Sequence, residues 1–202
     1  MTAMSTPTRG RPRSFDREAA LDKAMRLFWA RGYEATSIGE LTAAMGIGAP
    51  SLYAAFGDKA TLFGEVVQNF GARYGQFVAR AFAEEPTAEA AVRRSLREAA
   101  FEYTRPDCPH GCLVMSAGVN TTSGDVADQL RELRNRNLGL FTQRIQADID
   151  AGLLGAEVDA PTLARYIGTV MQGMSQAARD GASRAELEKV AELAMHGWGR
   201  TG

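Results

Sequence analysis

Apolar residues recur at intervals of three and four along almost the whole chain. Ala20, Ala24, Leu27 and Phe28 are spaced for one face of a helix that begins near Asp16, and Gly32 offers it a left-handed stop. Ser37 followed by Glu40 fits a capping box, with Thr36 as a competing cap. The short helix after it turns Ile38, Leu41 and Met45 to one side and ends at Gly46. A third begins at Gly48 or Ala49 and carries Pro50 in its first turn, where a missing N–H costs nothing. Its Leu52 and Phe56 point the same way. Asp58 is placed to cap a fourth, with Leu62, Val66, Phe70 and Phe77 inward. Five more follow. One covers 87–103 with Val92, Leu96 and Phe101 inward, and after the breaker "RPDCPHG" comes a short one over 113–119. A long helix over 125–152 carries Val126, Leu130, Leu133, Phe141, Ile145 and Ile149. Asp159 or Ala160 opens the next, with Pro161 at its start and Gly181 past its end. The last begins at Ser183 and ends near Trp198. No run alternates with the two-residue period of a strand. The expected fold is all-α, with about nine helices.

The first three helices carry a more specific message. They lie within about 45 residues, and a glycine-containing turn of about four residues joins the second and third, which is the helix-turn-helix pattern. The stretch "GIGAPSLYAAFGDK", residues 46–59, makes the leading end of the third helix nearly bare. A DNA major groove is about 12 Å wide, and a helix with its side chains is about 10 to 12 Å across. Small residues at the leading end therefore let the backbone approach base edges. Tyr53 and Lys59 are placed to contact phosphates, and Thr36 and Ser37, at the start of the preceding helix, form a third anchor. Three domains are expected: a flexible basic arm over 1–13, a DNA-binding unit over 14–60, and a ligand-binding and dimerisation body over 61–202.

Charge sharpens this division. The whole chain carries a net charge of −1, yet residues 1–31 hold seven Lys and Arg against three Asp and Glu. Arg9, Arg11 and Arg13 alternate with Gly10 and Pro12 in a polar segment, and such an arm can follow the backbone or enter a minor groove. With 202 residues, 45% of them hydrophobic, the chain can build a real core. It has no apolar stretch of the roughly 20 residues that a membrane span needs, nor an apolar segment after its N-terminal arginines. A cytoplasmic protein without membrane contact is expected.

The stretch "GYEATSIGELTAAMGIGAPSLYAAFGDKATLF" closely resembles the N-terminal domain of TetR-family transcriptional regulators. The shared elements are "LFWARGYEATSI", the "GIG" turn, "LY" followed by Phe56, and Asp58–Lys59 with Leu62 and Phe63, together covering roughly residues 14–64. The resemblance implies an all-helical homodimer with a ligand pocket in its body. It also implies that Thr36, Ser37, Gly48, Ala49, Pro50, Ser51, Tyr53 and Lys59 face a double-stranded operator. One departure is local: this chain has Ala54 and Ala55 where many relatives carry a bulky aromatic and a histidine, which removes a phosphate contact.

The body is less explicit. "CPHGC" places Cys108, His110 and Cys112 within five residues, but the only other histidine is His196, and a zinc site usually needs four ligands. No metal or cofactor is expected. Three readings stay open for this stretch. It can be a chain corner with Cys112 packed as a small hydrophobe. It can be a sensor in which a helix N-terminus favours the Cys112 thiolate, as "HGCLV" and the sensing cysteines of some TetR-family members suggest. It can be the centre of a small thiol- or metal-dependent enzyme. For an apolar or aromatic effector, the candidate pocket residues are Phe101, Cys112, Met115, Phe141, Tyr166, Met171 and Gln172, with Tyr166 and Gln172 as polar handles. Gly168, Thr169, Gly173, Ala177 and Ala178 give the penultimate helix a narrow surface suited to a dimer contact, for which Gly168, Gly173, Met174 and Ala177 are the candidate residues. Two copies joined through their last two helices would bury on the order of 1,200 to 2,000 Å².

Overall fold

A computed structural model describes residues 15–199. These form ten helices and no strand. The first, α1 (Arg17–Arg31), starts where the Asp16 carboxylate accepts from the N–H groups of Glu18 and Ala19 at 3.0 and 3.1 Å. Next, α2 (Ile38–Met45) carries the expected capping box between Ser37 and Glu40. Gly46 then adopts φ 73°, ψ 32°, a left-handed turn that a side chain would strain, and α3 (Ala49–Phe56) follows after two more residues. Asp58 accepts from Thr61 N–H at 2.7 Å and opens α4 (Lys59–Tyr74).

The single helix expected from Asp58 to Phe77 is in fact two, because the chain breaks at Gly75 before α5 (Gln76–Glu84). At Gly75 an added Cβ would lie 3.0 Å from the Gly71 carbonyl oxygen and 3.2 Å from its Cα, so a side chain would crowd the bend. The remaining helices are α6 (Ala88–Glu102), α7 (Leu113–Ser116), α8 (Gly124–Asp150), α9 (Ala160–Arg179) and α10 (Arg184–His196). The short α7 stops three residues before the expected end.

Two apolar cores result. The first gathers α1 to α4 around Phe28, Trp29, Leu41, Leu52, Phe56 and Phe63. Its aromatic rings meet edge to face, Phe28 on Phe63 at 5.1 Å and Trp29 on Phe70 at 4.9 Å. This core continues into the body, since Cys108, Leu113, Ala117, Val126 and Leu130 also belong to it. The second core is built on the alanine-rich face of α6 and on α8, α9 and α10. Small residues let helices come close there. A Cβ added at Gly168 of α9 would sit 2.6 Å from Leu138 Cδ2 of α8.

The two cores are fastened by polar contacts as well. Arg179, at the end of α9, donates to the carbonyls of Trp29 and Ala30 at 3.1 and 3.2 Å, which places a cation at the C-terminus of α1. Trp29 Nε1 donates to Gly111 O at 3.1 Å, and Arg26 Nη1 to Asp107 O at 2.7 Å. Gly111 has φ 79°, and a Cβ there would lie 2.7 Å from Ser175 O. The "CPHGC" stretch is thus a chain corner wedged between α1 and α9.

Candidate nucleic-acid interface and ligand cavity

The third helix turns Leu52 and Phe56 into the first core and leaves its opposite side bare. Gly48, Pro50, Ser51, Tyr53 and Ala54 are exposed, and Ala49 is half-buried. Tyr53 keeps 51% of its surface in solvent, the most exposed aromatic residue among those described. Among the described residues, the N-termini of α3, α5, α7 and α8 have no side-chain cap, whereas Asp16, Ser37, Asp58, Thr87, Asp159 and Ser183 each cap their own helix. Lys59, at the start of α4, holds its Nζ 4.3 Å from the centroid of the Tyr33 ring. Burial lowers its pKa, while Glu34 and Glu40 pull the other way.

Two of the predicted anchors fare differently. Ser37 is exposed, but its hydroxyl donates to Glu40 Oε2 at 2.8 Å, and Arg31 pairs with the same carboxylate. Thr36 is fully buried and donates to Gly32 O at 2.7 Å. Its hydroxyl closes the α1–α2 turn from inside, so the expectation that its side chain meets DNA is corrected. Arg9, Arg11 and Arg13 lie outside the described residues.

Glu34, just after α1, was not singled out from the sequence. Its Oε1 accepts from Thr121 Oγ1 at 2.8 Å, Thr122 N at 2.6 Å and Thr122 Oγ1 at 3.0 Å, all in the α7–α8 loop. These bonds, the Thr121 hydroxyl first, hold its carboxyl down to about 2. An acidic residue within a turn gives no local sign of such a distant set of donors.

The body holds a cavity of about 590 Å³, in the range of small-molecule sites. One side is α4 and α5, with Val67, Phe70 and Phe77, and the other is α8 and α9. Of the predicted pocket residues, Cys112, Met115, Phe141, Met171 and Gln172 line it. Phe101 and Tyr166 do not. Phe101 is exposed on α6 beneath the Arg184 guanidinium, and Tyr166 donates its hydroxyl to Ala194 O at 3.1 Å, tying α9 to α10. Both are corrected. Sequence reasoning missed the polar side of the wall, Arg131, Arg134 and Asn137 of α8 and Arg165 of α9. The missed signal lies in register. Leu130, Arg134, Asn137 and Phe141 follow helical spacing along one face, and two polar residues occupy positions where a closed core would take leucine.

Cys112 precedes α7, and its N–H donates to Ser175 Oγ at 2.8 Å. Burial pushes its thiol pKa up, and the nearby N–H groups of Met115 and Val114 only partly offset that. Burial therefore disfavours the thiolate that the sensor reading needs. His110 turns its Nδ1 to Ala178 O at 3.2 Å. No three metal-ligating side chains come together among the described residues, and no described helix is long and apolar enough to cross a membrane.

The predicted dimer residues also separate. Met174 is 1% exposed and belongs to the body core, and Gly168 serves the close contact with Leu138, so both are corrected. Ala177 is half-buried against the body core, while Gly173 is exposed with open space around it. On α10 the apolar side chains Val190 and Leu193 are 42% and 66% exposed.

Comparison with known proteins bears on both regions. The family model described as "Bacterial regulatory proteins, tetR family" matches residues 20–66, and "Tetracyclin repressor-like, C-terminal domain" matches residues 91–193. The chain belongs to the TetR family. Among TetR-family relatives it is 38% identical over 197 residues to the HTH-type transcriptional repressor ComR of Escherichia coli K12, spanning 95% of this chain and 92% of ComR. It is 30% identical over 188 residues to the repressor BdcR of the same organism, spanning 92% and 90%. Among solved structures it is similar to a cysteine mutant of the TetR-family regulator CifR complexed with 26-bp double-strand operator DNA. That match has 40% identity, a TM-score of 0.88, and covers 94% of this chain and 100% of CifR. The all-helical fold and the N-terminal helix-turn-helix expected of a TetR regulator are both present.

Proposed function

We propose that this chain is a cytoplasmic, non-enzymatic repressor that binds a near-palindromic operator as a homodimer and leaves it when a small molecule fills the body. The observation that carries this reading is the double duty of α4. Its first half packs Leu62, Phe63 and Val66 under the recognition helix, and Val67, Phe70 and Gly71 in its second half wall the cavity. A ligand that presses on that wall moves the recognition helix with it. Two TetR-type heads must meet successive major grooves about 34 Å apart, so a small rotation of each α4 spoils the spacing. A coupling of about 1 to 3 kcal/mol between the sites is the usual scale.

In this reading residues 14–60 touch DNA, and residues 61–202 dimerise and bind the effector. Gly48, Ala49, Pro50 and Ser51 approach base edges, Ser37, Tyr53 and Lys59 hold phosphates, and the arginine arm adds charge. The exposed Val190 and Leu193 of α10, together with the open Gly173 of α9, supply the face for the second copy. The test is selection of binding sites from random double-stranded DNA by the purified protein. The expected result is a near-palindrome with half-sites one helical turn apart and an affinity that falls steeply with salt. Binding without sequence preference, or to sites without two-fold symmetry, would refute it.

A further inference from the structure

The charge on the cavity wall names the chemistry of its ligand. Three arginines, Arg131, Arg134 and Arg165, line the cavity, and no aspartate or glutamate does. Arg131 and Arg134 are three residues apart on α8, so their side chains rise from the same face. Arg131 has an exposed partner in Asp128 at 2.7 Å, outside the lining. Arg134 has no carboxylate partner among the described residues. It spends Nη1 on the carbonyl of Val114 at 3.0 Å, leaving its other N–H donors unassigned. Burial and the neighbouring Arg131 both weigh against its charge. A cation kept in such surroundings gains most from an anion. The opposite wall is apolar, with Val67, Phe70 and Phe77, and Leu138, Phe141 and Met171 extend the apolar lining beside the arginines.

We propose that the cavity takes an amphipathic organic anion, its carboxylate held by Arg134 and Arg131 beside Gln172 and its apolar body lying against Phe70, Phe77 and Phe141. This rests on the reading of the cavity as the effector site, and it narrows the expected apolar effector to one with a negative head. The guanidinium fork suits a carboxylate, which it can hold through two parallel hydrogen bonds. Occupancy also has a route outward. Arg134 is bonded to Val114 in α7, and Ala117 at the end of α7 accepts from Tyr33 N at 3.3 Å in the first core. An anion that draws Arg134 off Val114 loosens α7 beneath the reading head.

The test uses the full-length protein without DNA, titrated calorimetrically with octanoate, 1-octanol and octyltrimethylammonium. Octanoate should bind at least tenfold more tightly than octanol, and the cation should bind least. In Arg134→Gln and Arg131→Gln the octanoate-to-octanol preference should fall at least fivefold. Arg131 makes no bond to Val114, so its variant still tests the proposal if Arg134→Gln does not fold. Equal or weaker binding of octanoate than octanol in the native protein, or an unchanged preference in Arg131→Gln, would overturn it. A separate retardation assay follows the protein–operator complex. If octanoate binds through the arginines yet leaves that complex intact, the ligand class stands and the effector reading falls. If octanoate has no preference, the ligand class falls whatever the DNA does.

Discussion

Replacing Arg179 with glutamine removes the cation that α9 sets against the last turn of α1. Two hydrogen bonds to α1 are lost, to Trp29 O at 3.1 Å and Ala30 O at 3.2 Å, with a longer one to Ser116 Oγ at 3.5 Å. Bonds from a charged donor contribute about 1.5 to 3 kcal/mol each when buried. Arg179 is only half-buried, so solvent screening brings the pair to about 2 kcal/mol. In a chain of this length each kcal/mol moves the melting temperature by about 2 to 4 °C, and the variant should melt about 4 to 8 °C lower. Far-ultraviolet circular dichroism gives the melting temperature. Hydrogen exchange should report faster opening of residues 28–31 in α1, while the distant α10 keeps its native rates. Arg179→Lys should recover part of the loss, because an ammonium reaches one carbonyl well and cannot fork across two. A melting temperature within 1 °C of native, with unchanged exchange in α1, would show that this junction carries no weight.

Three further outcomes are expected. Lys59→Gln should flatten the salt dependence of operator binding. One phosphate fewer per copy lowers the log–log slope by about 0.9, or about 1.8 for a dimer, and an unchanged slope would place Lys59 away from the backbone. Glu34→Gln removes a carboxylate held at about 2 instead of the ordinary 4.5. A depressed carboxyl stabilises the fold above its unfolded pKa, so the stability gap between native and variant should be full at pH 7 and shrink as pH falls from about 4.5 towards 2; a gap constant with pH in denaturant titrations would contradict the assignment. Gly111→Ala should cost more than about 2 kcal/mol, from roughly 1 to 2 kcal/mol of left-handed strain plus the 2.7 Å approach to Ser175 O; a urea midpoint unchanged from native would refute it.

Local rules made most of the fold readable. Asp16, Ser37, Asp58, Thr87, Asp159 and Ser183 each open a helix through their own side chains, and such caps act over three residues, within reach of sequence reasoning. The bare face of α3 was legible for the same reason, since burying Leu52 and Phe56 forces Ser51 and Tyr53 outward. What escaped depends on distant partners. Thr36 looked like a cap, but it lies inside the α1–α2 turn with its hydroxyl on Gly32 O. Gly168 looked like an intermolecular contact until Leu138 was seen to fill the space beside it. Arg134 is absent from the sequence reading because nothing nearby in sequence announces that α4 and α5 stand across a void from it.

The shared first core has a practical consequence for chimeric regulators. Phe70 at the far end of α4, and Leu113, Ala117, Val126 and Leu130 from beyond residue 110, fill the same interior as Phe28 and Trp29. A fragment cut after the family's N-terminal match would uncover these rings and lose the carbonyl that Trp29 Nε1 needs. Grafting this reading head onto a foreign sensor therefore requires carrying α7 and the first turns of α8 along, or rebuilding their apolar side chains on the new host. Under the proposed function, specificity for DNA travels as a patch of α3, but the foundation under it is drawn from two separate stretches of chain.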